Sequence, residues 1–279
     1  MMKAVLIPAI AGTLFITVAA VPAQEASKPN QVSISYELPK NPKHQRIYKR
    51  MKERRSLENL QEFLSPFRLP RPLKIELAGC DGEADAKYFD NVITICYEYL
   101  DELWRNMPKK VTASGIAPID TILGPLIDTA LHEFAHALFD MLKVPVFGRE
   151  EDAADQVAAF ILLQLGKDEA RRLIMATRHA YMTEAKNSGR PTLEEFSEEH
   201  GTPAQRAANL LCIAYGADPK LFGDVVSKGY LPKSRAEQCQ DEYEQIFDAF
   251  DAAILPHVDR DLAQKILKRD WLPKTTAPF

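Results

Sequence analysis

What the 279-residue chain lacks narrows its class before any motif is read. Its four cysteines form no CxxC pair, which excludes zinc-ribbon and thioredoxin-type motifs. There is no repeat and no low-complexity tract, so collagen and long disordered tails are excluded. Neither sign of charge dominates: 35 basic and 39 acidic residues give −4, and no nucleic-acid partner is expected. Only one apolar run approaches membrane length, and it lies at the start. The remainder, 46% hydrophobic and 27% charged overall, is ordinary globular composition.

That first run carries information of its own. Lys3 gives a basic start, residues 4–20 are apolar apart from Gly12, Thr13 and Thr17, and Val21-Pro22-Ala23 precedes the polar Gln24. This is the order of a secretory signal peptide, residues 1–23, with cleavage expected after Ala23. The expected mature chain, 24–279, is one domain whose first stretch, 24–42, is loosely structured. It is expected to be exported, periplasmic or secreted, without stable membrane insertion once the leader is gone. An even number of cysteines suits disulfides in such a compartment.

Residues 32–36 alternate Val-Ser-Ile-Ser-Tyr and are predicted as an edge strand. Residues 43–67 read as one helix, ended by Pro66 and the Leu-Pro-Arg-Pro segment at 69–72. Its start carries Lys43, Arg46, Lys49, Arg50, Lys52, Arg54 and Arg55. Such a run reads first as a solvated face, with docking to an anionic surface or partner as the alternative. Strands are predicted at 73–78 and 92–97, joined by a polar connection. Helical periodicity then dominates, at 98–107, 119–142, 149–166, 168–187, 203–215, 219–228 and 235–250. The predicted class is α+β, helix-rich, with a small sheet near the start. Cys80 and Cys96 lie in the early strand region, and Cys212 and Cys239 on late helices. The expected pairs are therefore Cys80–Cys96 and Cys212–Cys239. A simple hairpin would not set Cys80 opposite Cys96, so the connection must fold back.

The segment with chemical content is His132-Glu133-Phe134-Ala135-His136. Two histidines four apart on a helix project from one face. Their imidazoles can converge on one metal ion at ~2.0–2.1 Å, a geometry zinc accepts. Glu133, rotated by about 100° from His132, would lie beside the ion, where a carboxylate can take a proton from water. Ile127, Leu131, Phe134, Leu138 and Met141 form an apolar stripe that half-buries this helix. A third ligand is expected downstream. There Glu151 and Asp155 share one face of the next helix. The helix dipole explains acids in a first turn, Glu150, Glu151 and Asp152, but not Asp155 one turn later.

Asp128 and Asp140 continue the histidine stripe at four-residue spacing. Each is either an acceptor that orients a ligand imidazole or an ordinary surface carboxylate. His200, Gln205, Arg206 and Asn209 form a second polar cluster. His200, Arg206 and Asn209 either contact the substrate or stabilise an oxyanion, or they belong to a structural hydrogen-bond network. His44, His179 and His257 read as ordinary surface or core residues.

His132-Glu133-x-x-His136 followed by Glu151-x-x-Ala154-Asp155 resembles the glutamate-type zincins. More closely, the chain resembles a bacterial family of exported proteins described as putative metallopeptidases and classed as a domain of unknown function. The matching stretches are Cys80 with residues 93–98, residues 148–155, and His200-x-x-x-x-Gln205-Arg206-x-x-Asn209-x-x-Cys212-x-x-Tyr215-Gly216-x-Asp218-Pro219. They span roughly residues 32–257. The resemblance implies a zincin-like domain with one Zn²⁺ held by His132, His136 and Glu151. It also implies Asp155 as the partner orienting a ligand histidine, and a peptide or protein as substrate. Glu133 is then the general base of peptide-bond hydrolysis. The alternative is a catalytically silent zinc-binding or partner-docking module of the cell envelope. Glu133 separates the two, because a closed structural zinc site has no use for a carboxylate there.

Overall fold

The computed structural model describes residues 32–274. The expected signal peptide, 1–23, and residues 24–31 of the N-terminal stretch lie outside the described residues. The alternating stretch Val32–Tyr36 forms β1, followed by a 3₁₀ turn at Pro42–His44 and two short helices, α1 (Gln45–Glu53) and α2 (Ser56–Phe63). The single helix expected over 43–67 is broken at Arg55, which adopts a left-handed φ of 53°. The Tyr36 hydroxyl fills the break: it accepts the Leu57 N–H at 2.9 Å and donates to Glu58 at 2.7 Å. The kink lets Ile47 and Met51 of α1 and Leu57 of α2 all reach the core.

Three further strands follow, β2 (Leu73–Ala78), β3 (Ala86–Phe89) and β4 (Val92–Cys96). The sheet order is β1-β2-β4-β3, with β1, β2 and β4 parallel and β3 antiparallel to β4. β3 is the unexpected strand, within what reads as a polar connection. Asp90 and Asn91, with φ of 46° and 65°, make its two-residue turn into β4, the positive-φ pair a tight hairpin requires. Because β2 and β4 run parallel, Ala78 lies beside Cys96. The connection folds back through β3, and Cys80, two residues on, is joined to Cys96. The Glu98 carboxylate secures the loop by accepting the Cys80 N–H at 3.0 Å and the Gly82 N–H at 3.3 Å.

The rest is helical: α3 (Tyr97–Arg105), α4 (Asp120–Leu142), α5 (Glu150–Leu163), α6 (Lys167–Ser188), α7 (Leu193–Ser197) and α8 (Pro203–Ala217). There follow α9 (Asp224–Ser227), α10 (Lys233–Ala236), α11 (Cys239–Ala253) and α12 (Arg260–Leu267). The fold is α+β, helix-rich, with its small sheet near the start. The helix expected over 219–228 shrinks to α9, because the Asp218 carboxylate caps a turn at Lys220 and Leu221. The one expected over 235–250 divides into α10 and α11. A second disulfide, Cys212–Cys239, joins α8 to the start of α11.

Helix α4 is the centre of the molecule. It packs on β3 and β4 to one side and on α5 and α6 to the other. It is therefore more than half-buried: Ala130, Leu131, Phe134, Ala135, Ala137 and Leu138 are all in the core. Phe134 meets Phe67 edge-on at 4.9 Å, and full burial of such a side chain stabilises by about 1.5–3 kcal/mol. Gly124 permits the close approach of α6, since a Cβ there would lie 2.6 Å from that of Ala176. Among the described residues, no helix is long and apolar enough to cross a membrane.

Candidate active site

On α4, His132 and His136 stand one turn apart, and both imidazoles turn their Nε2 atoms to one point, 3.1 Å from each other. The helix stops at Lys143, whose left-handed φ of 56° reverses the chain, and Gly148 (φ 109°) completes the turn into α5. The first turn of α5 thus returns to the histidines. Glu151 Oε2 lies 2.9 Å from His132 Nε2 and 3.3 Å from His136 Nε2. Two imidazole nitrogens and a carboxylate oxygen so grouped can hold a metal ion. The edges of this triangle approach the ~3.3–3.4 Å that ligands ~2.0–2.1 Å from one tetrahedral ion keep from each other. The donor set fits.

A family model described as "putative metallopeptidase" matches residues 36–253. The chain belongs to that metallopeptidase family. No curated protein and no solved structure matches it.

In this metallopeptidase-family chain each histidine is fixed from behind by a carboxylate. His132 Nδ1 lies 2.8 Å from Asp155 Oδ1, and His136 Nδ1 lies 2.8 Å from Glu150 Oε1. Such partners set the tautomer and the direction of the other nitrogen. Asp155, which the resemblance pairs with a ligand histidine, touches His132. Glu150, for which the helix dipole alone is a sufficient reason in the sequence, is a second orienting partner; only the close approach of α5 to α4 brings it there. Asp155 is itself gripped by Arg206 of α8, whose Nε and terminal nitrogen donate to its two oxygens at 2.8 and 2.7 Å.

The remaining sequence candidates divide. Asp128 does not touch an imidazole; it is buried and accepts a hydrogen bond from Tyr181 at 3.0 Å. Asp140 also leaves the imidazoles alone, accepting instead from Arg71 at 2.6 Å and Tyr88 at 2.7 Å, so it ties α4 to β3. Both border the cleft, but their four-residue steps drift around the helix, so their hydrogen-bond partners are residues other than His132 and His136. His200 does reach the site. Its Nε2 is 2.7 Å from Glu151 Oε2, and its ring stacks on that of His132 at 5.6 Å. Arg206 borders the cleft, but its guanidinium is committed to Asp155 and lies over the Tyr181 ring. Asn209 does not border the active cleft and accepts from Arg235 at 3.4 Å.

Burial and pairing set the charges. Burial opposes a charged His132, but the hydrogen bonds to Asp155 and Glu151 outweigh it and raise its pKa to about 9. For Glu151, burial is outweighed by three histidines, which hold its carboxyl well below the usual range. Glu133 is 7% exposed, and burial raises its pKa above the ordinary carboxylate value despite both nearby histidines. That is the direction a proton-accepting carboxylate needs. Glu133, His132, His136 and Glu151 all border one open cleft of about 1200 Å³. Strand β3 forms one wall, and α3 and α6 form much of the rest.

Proposed function

We propose that this chain is an exported zinc-dependent peptidase whose site is built from His132, His136, Glu151 and Glu133. Two imidazoles and one carboxylate are the ligand set of an open zinc site. When bound, the ion would polarise the scissile carbonyl and acidify water. Glu133 accepts a proton from the attacking water and passes it to the leaving amine. Glu150 and Asp155 keep the imidazoles aimed. His200, half-exposed at the cleft, engages Glu151 with Nε2 at 2.7 Å, and would have to turn from it to donate to the oxygen that becomes negative. Strand β3 is the edge of the sheet and borders the cleft, so an extended peptide can align along it, while its Tyr88 N–H donates to the Glu133 carboxylate. The leader-like start and two disulfides support export.

The observation that carries this reading is the convergence of His132, His136 and Glu151 with a buried, pKa-raised Glu133 in one cleft. The test is Glu133→Gln, assayed with zinc-loaded protein on a diverse peptide pool. Zinc content and folding should stay unchanged while cleavage falls by about 10²–10⁴-fold, the scale of general-base loss. Wild-type protein that binds zinc and cleaves nothing would favour the silent binding module. Undiminished cleavage by the variant would refute the role of Glu133.

A further inference from the structure

The basic run of α1 lies outside the cleft, and most of it is not used in the packing of the fold. Between residues 43 and 55 there are seven Lys or Arg residues and one acid, Glu53, on a chain whose net charge is −4. Lys43, Arg46, Lys49, Lys52 and Arg55 are exposed, while Ile47 and Met51 turn the other side of the helix into the core. Among the described residues, none of Lys43, Arg46, Lys49, Arg50 and Lys52 forms an ion pair with a carboxylate within 4.0 Å.

These charges weaken the helix they sit on. Arg46 with Lys49 and Arg50, and Lys49 with Lys52, are like-charge pairs at three- and four-residue spacing, which destabilise a helix. The first turn holds no acid, and cations at a helix N-terminus oppose its dipole. Arg46 and Lys52 also lie over Trp104, Tyr36 and Tyr48, but these contacts leave Lys43, Lys49 and Arg50 without a carboxylate partner in an ion pair.

We propose that the outer face of α1 is a docking surface for an anionic phospholipid bilayer. The cations are spread along an open helix face rather than gathered around a pocket, which suits a continuous anionic surface better than a single small anion. Leu38, 72% exposed, precedes the helix in the chain, and an exposed leucine in the same segment as the cations suits the boundary of headgroup and acyl chain. The position also leaves the cleft free. Arg46 stacks over Trp104 of α3 at 5.8 Å, whereas Tyr99, Glu102 and Asn106 of α3 border the cleft. Helix α3 thus stands between the basic face and the cleft, and a chain docked through α1 keeps its cleft open to soluble substrate.

The experiment is co-sedimentation of the full chain with vesicles of phosphatidylcholine alone or with about one-third phosphatidylglycerol. It compares wild type with Lys43→Glu/Lys49→Glu/Arg50→Glu and with the milder triple Gln variant. Each cation near an anionic surface contributes about fivefold in partitioning. Wild type should therefore bind the anionic vesicles at least ~100-fold better than the triple Glu variant, with the Gln variant between them. Binding should weaken steeply as salt rises. An apolar leader that inserts by itself would bind both vesicle types and be indifferent to salt, so it cannot imitate this result. Unchanged circular dichroism and zinc uptake would show that the variants fold. Equal binding of the anionic vesicles by wild type and the folded variants, which share any contribution of the leader, would overturn the proposal. So would wild type that ignores anionic vesicles, including one that binds only an acidic protein.

Discussion

The aim of His132 depends on a chain of hydrogen bonds whose last member is Arg206. Its guanidinium spans both oxygens of Asp155, and Asp155 fixes Nδ1 of His132. Lysine offers a single ammonium and cannot make that fork. Arg206→Lys is therefore expected to lower zinc affinity about 10–100-fold, as loss of an orienting partner does. In chelator competition, Asp155→Asn should do the same, and the double variant should lose little more than either single one. Full additivity would mean that Arg206 acts elsewhere. Asp128 leads to a prediction in the pH dependence. Burial, reinforced by nearby Asp155, raises its pKa from 3.8 to about 6. Well below the unfolded value of 3.8 it is protonated folded or unfolded and costs nothing. As pH rises toward about 6 the unfolded chain ionises more readily, and stability is lost, on the order of 3 kcal/mol. Asp128→Asn removes that loss while still accepting from Tyr181. The stability difference between variant and parent in metal-free protein should grow between about pH 4 and 6 and then level. A difference independent of pH would refute the assignment. Sequence spacing puts His132 and His136 on one face and returns the next helix toward them, since a four-residue step and a short reversal are local geometry; that Glu151 is the residue to meet them is what the family resemblance adds. The partners of Asp128, Asp140 and Glu150 were not legible, because each depends on which helix or strand lies alongside.

At the scale of elements, close approach of backbones decides where side chains are forbidden. Gly216 of α8 faces the start of α11, and a Cβ there would lie 2.1 Å from the Cys239 carbonyl oxygen and 2.9 Å from Tyr243 Cβ. Backbone cannot yield as a flexible side chain does. Gly216→Ala should therefore destabilise by at least about 2 kcal/mol, the scale of overpacking. In thermal unfolding this is a loss of roughly 4–8 °C for a domain of this size. Gly79→Ala is the control, since a methyl group at Gly79 would meet nothing within 4 Å and its φ is not positive; it should be near neutral. An equal loss in both would point to a nonspecific glycine effect. The elements legible in the sequence were the long periodic ones, α4, α5, α6 and α8, together with β1, β2 and β4. Strand β3 was missed because its four residues are too short for an alternation signal, although Asp90-Asn91 before Val92 is a tight-turn pair. The break at Arg55 was missed for another reason: it is imposed by Tyr36, a residue on a different element.

Across the whole molecule, the cleft is where separate layers are pinned together. Asp140 ties α4 to β3 through Tyr88, and Asp155 with Arg206 ties α5 to α8. Tyr181 of α6 joins the same group by donating to Asp128 of α4. A metal ion held by α4 and α5 adds one more link between elements that must separate on unfolding. Ligands that bind only the folded chain stabilise it by mass action, about 4 kcal/mol at a thousandfold excess over Kd. For a chain of this size that corresponds to a rise of ~8–16 °C in Tm. Zinc should therefore raise the Tm of wild type and of Glu133→Gln alike, since Glu133 is not among the grouped donors. EDTA should reverse the rise. His136→Ala should abolish it, because two remaining donors do not make an open zinc site. Glu133→Gln thus separates binding from turnover, whereas His136→Ala removes both. A full zinc-dependent rise in His136→Ala would place the ion elsewhere in the chain and sink the site as drawn.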